Sequence, residues 1–369
     1  MSEGLSGWRK CLLGEIITLQ RGFDITQNKQ EAGNYPVVSS SGVKSWHKEW
    51  KVAGPGVVIG RKGTLGTVFY LPDCFWPHDT TLWVKNFHGN FPRFIYYFLN
   101  EFEFARYDVG SSNPTLNRNH VHLVPAYLAP FPEQKAIANV LSSLDGKIDL
   151  LHRQNKTLES MAETFFRQWF VEEAREDWED GTIADLIDFN PLRKLSKGSV
   201  APYLEMASLN NSTFNPYDWY ERAFSSGTKF INRDTLLARI TPCLENGKTA
   251  YVTFLEKNQV GWGSTEYIVM RPKGELHPFF AYALARNTDF RAYAEGCLAG
   301  SSGRQRVEIQ HLKNYVIKSP SQNIVSEFNS LARPIAAKLH SNFLQLRTLE
   351  KLRDTLLPKL MSGEVRVIS

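Results

Sequence analysis

The chain has 369 residues, 42% hydrophobic and 22% charged, with a formal net charge of +5, a pI near 8.9 and a mean hydropathy of −0.32. That length exceeds one average domain, and the balance fits neither a disordered nor a membrane-embedded chain. No apolar run approaches the roughly 20 residues that span a bilayer, and Met1-Ser2-Glu3-Gly4 lacks the basic-then-apolar start of a signal peptide, so a cytoplasmic protein is expected.

From the N-terminus, short β-branched and aromatic runs such as Gly56-Val57-Val58-Ile59 alternate with Gly, Pro and Asn turns, and segment 91–104 reads as a helix. A long helix follows over about 132–171, with Pro132 near its start. Ile137, Leu141, Leu144, Ile148, Leu151, Asn155, Leu158, Ala162, Phe165 and Trp169 follow spacings of four and three, the seam of a coiled coil. At 1.5 Å per residue this helix is roughly 60 Å long. The acidic stretch 172–180 reads as a joint. Beyond it Thr249-Ala250-Tyr251-Val252-Thr253-Phe254 reads as a strand and 278–294 as one helix. A second long helix carries Leu339, Asn342, Leu346, Leu349, Arg353, Leu356 and Leu360 in the same rhythm; Pro334 is expected to kink or restart it and Pro358 to mark its last turn.

The two halves repeat each other. Pro132, Gln134, Ile137, Leu151, His152, Leu158 and Met161 recur 188 positions later as Pro320, Gln322, Val325, Leu339, His340, Leu346 and Leu349. Before each helix, Val58-Ile59-Gly60-Arg61 corresponds to Leu236-Leu237-Ala238-Arg239, and Gly110-Ser111-Ser112 to Gly300-Ser301-Ser302. Asn155 and Asn342 both fall on the seam near mid-helix, where a lone polar residue costs stability but selects register. The two helices are therefore expected to pair; the other reading leaves both asparagines half-exposed. The four cysteines, Cys11, Cys74, Cys243 and Cys297, form no C-x-x-C pair and read as reduced structural thiols.

Pro130-Phe131-Pro132-Glu133-Gln134-Lys135, leading into the first helix, and Leu349-Glu350-Lys351-Leu352-Arg353-Asp354-Thr355-Leu356-Leu357-Pro358-Lys359-Leu360-Met361-Ser362-Gly363-Glu364-Val365 at the end resemble the specificity subunits of type I restriction-modification systems. The loop Gly300-Ser301-Ser302-Gly303-Arg304-Gln305-Arg306-Val307 is similar to one found in many recognition domains of that family. The resemblance covers nearly the whole chain. It implies an α+β fold of two similar target-recognition domains, 1–131 and 174–319, separated by spacer helices 132–173 and 320–362 that pair as an antiparallel coiled coil, with a tail at 363–369. It further implies a non-catalytic subunit that reads a split double-stranded DNA target and docks two methyltransferase subunits, with restriction subunits joining the complex. No cofactor is expected on this chain; S-adenosylmethionine would sit on the methyltransferase subunits.

Base edges in the major groove are read by Arg or Lys at guanine and Asn or Gln at adenine, while other cations hold phosphates. On that basis the expected DNA-binding residues are Ser40, Ser41, Lys44, Arg61, Lys62, Thr64, Asn113, Thr115, Asn117 and Arg118 in the first half. In the second they are Arg239, Thr241, Asn246, Lys248, Arg304, Gln305 and Arg306. The duller alternatives are solvated surface arginines, an Asn246-Gly247 turn whose charges face water, and a Trp46 that belongs to the core. Where the second half has the Arg-Gln-Arg loop, the first has Gly110-Ser111-Ser112-Asn113-Pro114-Thr115-Leu116-Asn117-Arg118; if this loop touches DNA, the halves read different sequences and the target is asymmetric.

Catalytic motifs are broken: Pro242 stands where the first glycine of a phosphate loop ending Gly247-Lys248-Thr249 belongs. Asn190-Pro191-Leu192 and Asn215-Pro216-Tyr217 lack the second proline of the amino-methyltransferase signature. Asp24 with Glu49 and Lys51 is too loose a set to assign a metal.

Overall fold

Gly56–Gly60 and Thr235–Ala238 are each buried along their whole length, and a four- or five-residue strand hidden on both faces is expected inside a covered sheet. The computed structural model describes residues 7–108, 114–172, 178–301 and 303–367 and places each of these strands at an inner position of a four-stranded antiparallel sheet. The chain divides into two compact units, Met1–Ile148 with Thr348–Ser369, and Asp149–Arg347. The division falls inside the long helices and not at the acidic stretch 172–180, of which 173–177 lie outside the described residues.

In the first unit β1 (Arg9–Leu12), α1 (Leu13–Ile16), β2 (Thr18–Arg21), β3 (Tyr35–Ser39), β4 (Gly42–His47), β5 (Gly56–Gly60), β6 (Val68–Leu71), β7 (Trp76–Pro77), β8 (Thr81–Asn86), α2 (Pro92–Asn100), α3 (Arg118–His122) and β9 (Pro125–Leu128) lead into the long α4 (Phe131–Arg167). The main sheet runs β2-β8-β5-β6, a smaller one runs β4-β3-β7 with β3 and β7 parallel, and β1 pairs with β9.

The second unit has β10 (Asp180–Thr182), α5 (Ile183–Leu186), β11 (Ile187–Phe189), β12 (Val200–Leu204), β13 (Tyr220–Ala223), β14 (Thr228–Phe230), β15 (Thr235–Ala238), β16 (Thr249–Tyr251), β17 (Gly261–Gly263) and β18 (Tyr267–Pro272). Then come α6 (Phe279–Arg286), α7 (Thr288–Gly296), β19 (Leu298–Ala299), β20 (Arg306–Val307), α8 (Ile309–Lys313), β21 (Val316–Lys318) and the long α9 (Gln322–Met361). Its main sheet is β11-β18-β15-β16, its second sheet β13-β12-β17-β14 again contains one parallel pair, β12 with β17, and β10 pairs with β21. The fold is α+β, built twice to one plan.

Several elements differ from their sequence expectations for identifiable reasons. The helix expected over 278–294 is two, because Asn287 leaves the helical region and its side chain accepts hydrogen bonds from the Asp289 and Phe290 amides as the cap of α7. Pro334 neither ends nor restarts α9, which is continuous from Gln322 to Met361. A proline removes one backbone hydrogen bond, and Phe328 and Ala332 before it and Ile335, Ala336 and Leu339 after it are all held in one core. The strand expected over 249–254 ends at Tyr251, and the helix expected over 91–104 ends at Asn100 with a separate 3₁₀ turn at Phe104–Tyr107.

Each unit packs its own stretches of α4 and α9. In the first, Ile137, Ala138 and Leu141 join Leu360 and Met361 beneath Phe94, Phe98 and the sheet. In the second, Ala162, Phe166 and Phe170 join Phe328, Ile335 and Leu339 against Phe279, Phe280 and Tyr282. The buried face there has moved one residue on from the expected Phe165 and Trp169, since a helix of 3.6 residues per turn drifts away from a strict heptad seam. Asn155 meets Asn342, and Phe170 meets Phe328 at 5.3 Å between ring centroids, so the two helices run antiparallel within this unit. Asn342 is fully buried and donates to Asn155 Oδ1 (2.7 Å) and Gln154 Oε1 (2.9 Å), while its own Oδ1 has no partner. An unmet buried acceptor costs about 1–3 kcal/mol, which an aliphatic residue would avoid. What the asparagine contributes is register, because sliding either helix by a turn strands its amide.

Glu159 is a buried carboxyl on α4. Burial pushes its carboxyl up to about 7, although Tyr282 donates to it at 2.7 Å and Arg286 lies close by. A carboxyl that holds its proton more tightly when folded contributes stability that is complete below the unfolded value near 4.5 and is lost as the pH rises through about 7. Glu159→Gln removes that loss. The variant is expected to unfold at higher denaturant concentration than the parent at pH 8, by about 1–3 kcal/mol, with the difference vanishing at pH 4.5.

Candidate functional site

β5 ends at Gly60, where no side chain fits: a Cβ would stand 2.1 Å from the Thr64 carbonyl oxygen and 3.2 Å from that of Ser40. The chain can therefore fold back tightly, with the Gly66 amide donating to the Gly60 carbonyl at 2.9 Å. The resulting loop is tied on both sides. The Arg61 and Lys62 amides donate to the Thr80 carbonyl (2.9 and 3.0 Å), the Leu116 amide donates to the Arg61 carbonyl (3.0 Å), and Lys62 bridges to Thr115. Asn117 then caps α3 by accepting from the Asn119 amide at 3.0 Å. Arg21, Arg61, Leu82, Thr115, Leu116, Asn117 and Arg118 line a cavity of about 320 Å³.

This platform collects Arg61, Lys62, Thr64, Thr115, Asn117 and Arg118, with Lys62, Thr64 and Arg118 fully at the surface. Ser40 is buried beside it, its amide 3.4 Å from the Thr80 hydroxyl. Ser41 and Lys44 are exposed on the β3–β4 hairpin, and Trp46 is 56% exposed and so is not a core residue. Asn113, with Gly110-Ser111-Ser112, lies outside the described residues. Cations outnumber the acidic groups on this surface: Arg21, Arg61, Lys62 and Arg118 stand against Asp79, Asp24 beside it, and Asp108, which accepts from the Thr115 amide at 2.7 Å. Burial pushes the Asp79 carboxyl up, but the Arg21 hydrogen bond (2.7 Å), His78 and Lys62 outweigh it and hold it below the usual carboxylate range. Burial and the nearby Arg21 draw the Arg61 pKa below its ordinary value. Asp24, His78 and Asp79 bring potential metal-ligating atoms within 4.8 Å of one another, yet Asp79 already serves Arg21 and His78.

The second unit rebuilds the same platform with other side chains. β15 ends at Ala238, the Arg239 amide donates to the Glu266 carbonyl (3.0 Å), the Val307 amide donates to the Arg239 carbonyl (3.0 Å), and Ile240 bridges to Arg306. Thr241 and Gln305 are joined by backbone hydrogen bonding at 3.0 Å and by the Gln305 amide to the Thr241 hydroxyl at 3.1 Å. Arg239, Thr241, Gln305 and Arg306 are thus brought together, and Arg304 stands exposed beside them. Glu266 accepts from Arg306 Nε (2.9 Å) and Nη2 (2.7 Å) and from Arg239 Nε (3.2 Å). The Arg306 hydrogen bonds hold the Glu266 carboxyl below its ordinary range against burial, with help from Arg239. Asn246 is exposed, the Lys248 ammonium donates to the Met206 carbonyl at 3.3 Å, and Gly247, at φ +67°, closes the turn.

Sequence reasoning passed over Arg21, Asp79 and Glu266. Nothing near them in the chain marks them, because they reach the platform only through the pairing of β2 with β8 and of β15 with β18.

A protein-family profile described as "Type I restriction modification DNA specificity domain" matches residues 6–160. The type I restriction enzyme MjaIX specificity subunit of Methanocaldococcus jannaschii is 25% identical over 329 residues, covering 76% of this chain and 70% of that protein. The EcoEI specificity subunit of Escherichia coli is 27% identical over 203 residues, 52% of this chain and 34% of that one. Among solved structures, a type I restriction-modification S subunit from M. genitalium superposes with a TM-score of 0.66 at 15% identity, covering 96% of both chains; that likeness shows the fold.

The tight turn after β5 carries a direct test. Gly60→Ala places a methyl against backbone, so it is expected to destabilise the first unit by about 1–3 kcal/mol, read as an earlier thermal transition. A variant as stable as the parent would show that the turn is not constrained as described.

Proposed function

We propose that the chain is a type I restriction-modification specificity subunit, on the match of residues 6–160 and the likeness to a curated subunit, and that its two units each read one part of a split, asymmetric DNA sequence. As a specificity subunit it is the non-catalytic recognition component of its complex. One observation carries the reading: both units hold the same two-sided loop platform at the end of the same strand, tied by Leu116 to Arg61 in one and by Val307 to Arg239 in the other. The side chains presented there differ, Lys62, Thr115 and Arg118 against Arg304, Gln305 and Arg306. Equal scaffolds with unequal donors are what two half-sites of unlike sequence require. Helix α4, with 37 residues, is about 56 Å long at 1.5 Å per residue. Paired with α9 it would act as the spacer between the two readings and as the dock for two methyltransferase subunits. Those subunits would carry the S-adenosylmethionine, and the restriction subunits would join through the same complex.

The test is to produce this chain with its methyltransferase subunits in a host lacking other methylation and to sequence the modified sites. A single two-part sequence with unlike halves and a fixed gap is expected. Modification of a continuous or symmetric sequence, or no modification dependent on this chain, would overturn the proposal.

A further inference from the structure

The register of the two main sheets equates positions across the units: Gly60 pairs with Thr81 as Ala238 pairs with Tyr267, so Thr80 stands where the second unit has Glu266. Lys62 bridges Thr115 as Ile240 bridges Arg306, so Thr115 stands where the second unit has Arg306. The second unit therefore has an arginine–carboxylate pair at the centre of its platform, and the first has two threonines. The pair is more than a surface contact. Arg306 is fixed at the backbone between Ala299 and Ile240, and Glu266 is fixed by its own amide on the Ser264 hydroxyl (3.1 Å) and by its carbonyl on the Arg239 amide (3.0 Å). Glu266 grips the Nε–Nη2 edge of Arg306. That leaves the Nη1–Nη2 end outside the pair, on a side chain that is 41% exposed. A planar guanidinium offers two such edges, and the outer one matches the O6 and N7 acceptors of guanine.

We infer that Arg306 reads a guanine in the half-site of the second unit, with Glu266 as the residue that positions it, and that the first unit has no such reader at the equivalent place. This rests on the two-half reading above. A carboxylate facing DNA weakens phosphate attraction, so Glu266 opposes affinity while it serves discrimination. Removing its charge should move the two in opposite directions, whereas a merely structural residue would lower both together.

The experiment uses the complex of this chain with its methyltransferase subunits and duplexes carrying the mapped target, each guanine replaced in turn by 7-deazaguanine, which lacks the N7 acceptor. In the native complex one guanine, in one half-site only, should be sensitive, with binding weakened on the order of 10-fold to 100-fold. That sensitivity should disappear in Arg306→Ala, which removes the fork, and in Glu266→Gln, while Glu266→Gln binds unrelated duplex as tightly as the parent or more tightly. If the native complex still selects its split target but no guanine is sensitive, or if sensitivity survives both variants, the Arg306 assignment is wrong and the two-half reading stands. If Glu266→Gln loses specific and unrelated binding in parallel, Glu266 is not a positioning residue. If the native complex selects no split target, the reading beneath both fails.

Discussion

One backbone hydrogen bond per unit assembles the candidate platform: the Leu116 amide on the Arg61 carbonyl, and the Val307 amide on the Arg239 carbonyl, each 3.0 Å. Its net worth in free energy is modest, about 1 kcal/mol. Its consequence is geometric. It brings a segment from late in the unit against the loop that leaves the central strand, so that Thr115, Asn117 and Arg118 stand beside Arg61 and Lys62, and Gln305 and Arg306 beside Arg239. Because the bond involves only main chain, the side chains around it are free to differ. A unit can change what it presents without changing how it folds.

The long helices serve a different purpose, and their chemistry differs accordingly. Their apolar faces enter the cores of the units they belong to, through Ile137 and Leu141 with Leu360 in one and Phe166 and Phe170 with Phe328 in the other. Among their buried polar groups, the Asn342–Asn155 contact and Glu159 held by Tyr282 are costly. An entirely aliphatic pair would be more stable but would leave the register of one helix on the other less determined. For the spacer role proposed above, a defined register matters more than additional stability.

Much of this was legible in the chain. Heptad spacing, the internal repeat and the turn residues are local patterns, and they delimited the long helices to within a few residues and showed that the halves share a plan. The seam asparagines, 187 residues apart, were legible because both fall on the same helical stripe, and they meet. Where the reading failed, tertiary contacts had overridden a local rule: Pro334 sits inside a continuous helix because both its flanks are buried together, and Phe166 displaced Phe165 because the core is not a strict seam. The candidate site divided in the same way. Arg61, Arg239 and Arg306 stood out as cations in turns, but Glu266 and Asp79 could not, since only strand register carries them to the platform. One N–H of Lys248 serves the carbonyl of Met206, a contact the sequence does not mark because the two are far apart in the chain.

The central claim is that the two strand-end platforms are the equivalent DNA-facing surfaces of the two units. Amide hydrogen exchange of the assembled complex, with and without its specific duplex, measures this directly. Slowed exchange is expected at residues 60–66 and 114–118 in the first unit and at 239–248 and 303–307 in the second, with little change on the opposite faces of either sheet. Protection confined to one unit, or centred away from both platforms, would contradict the account.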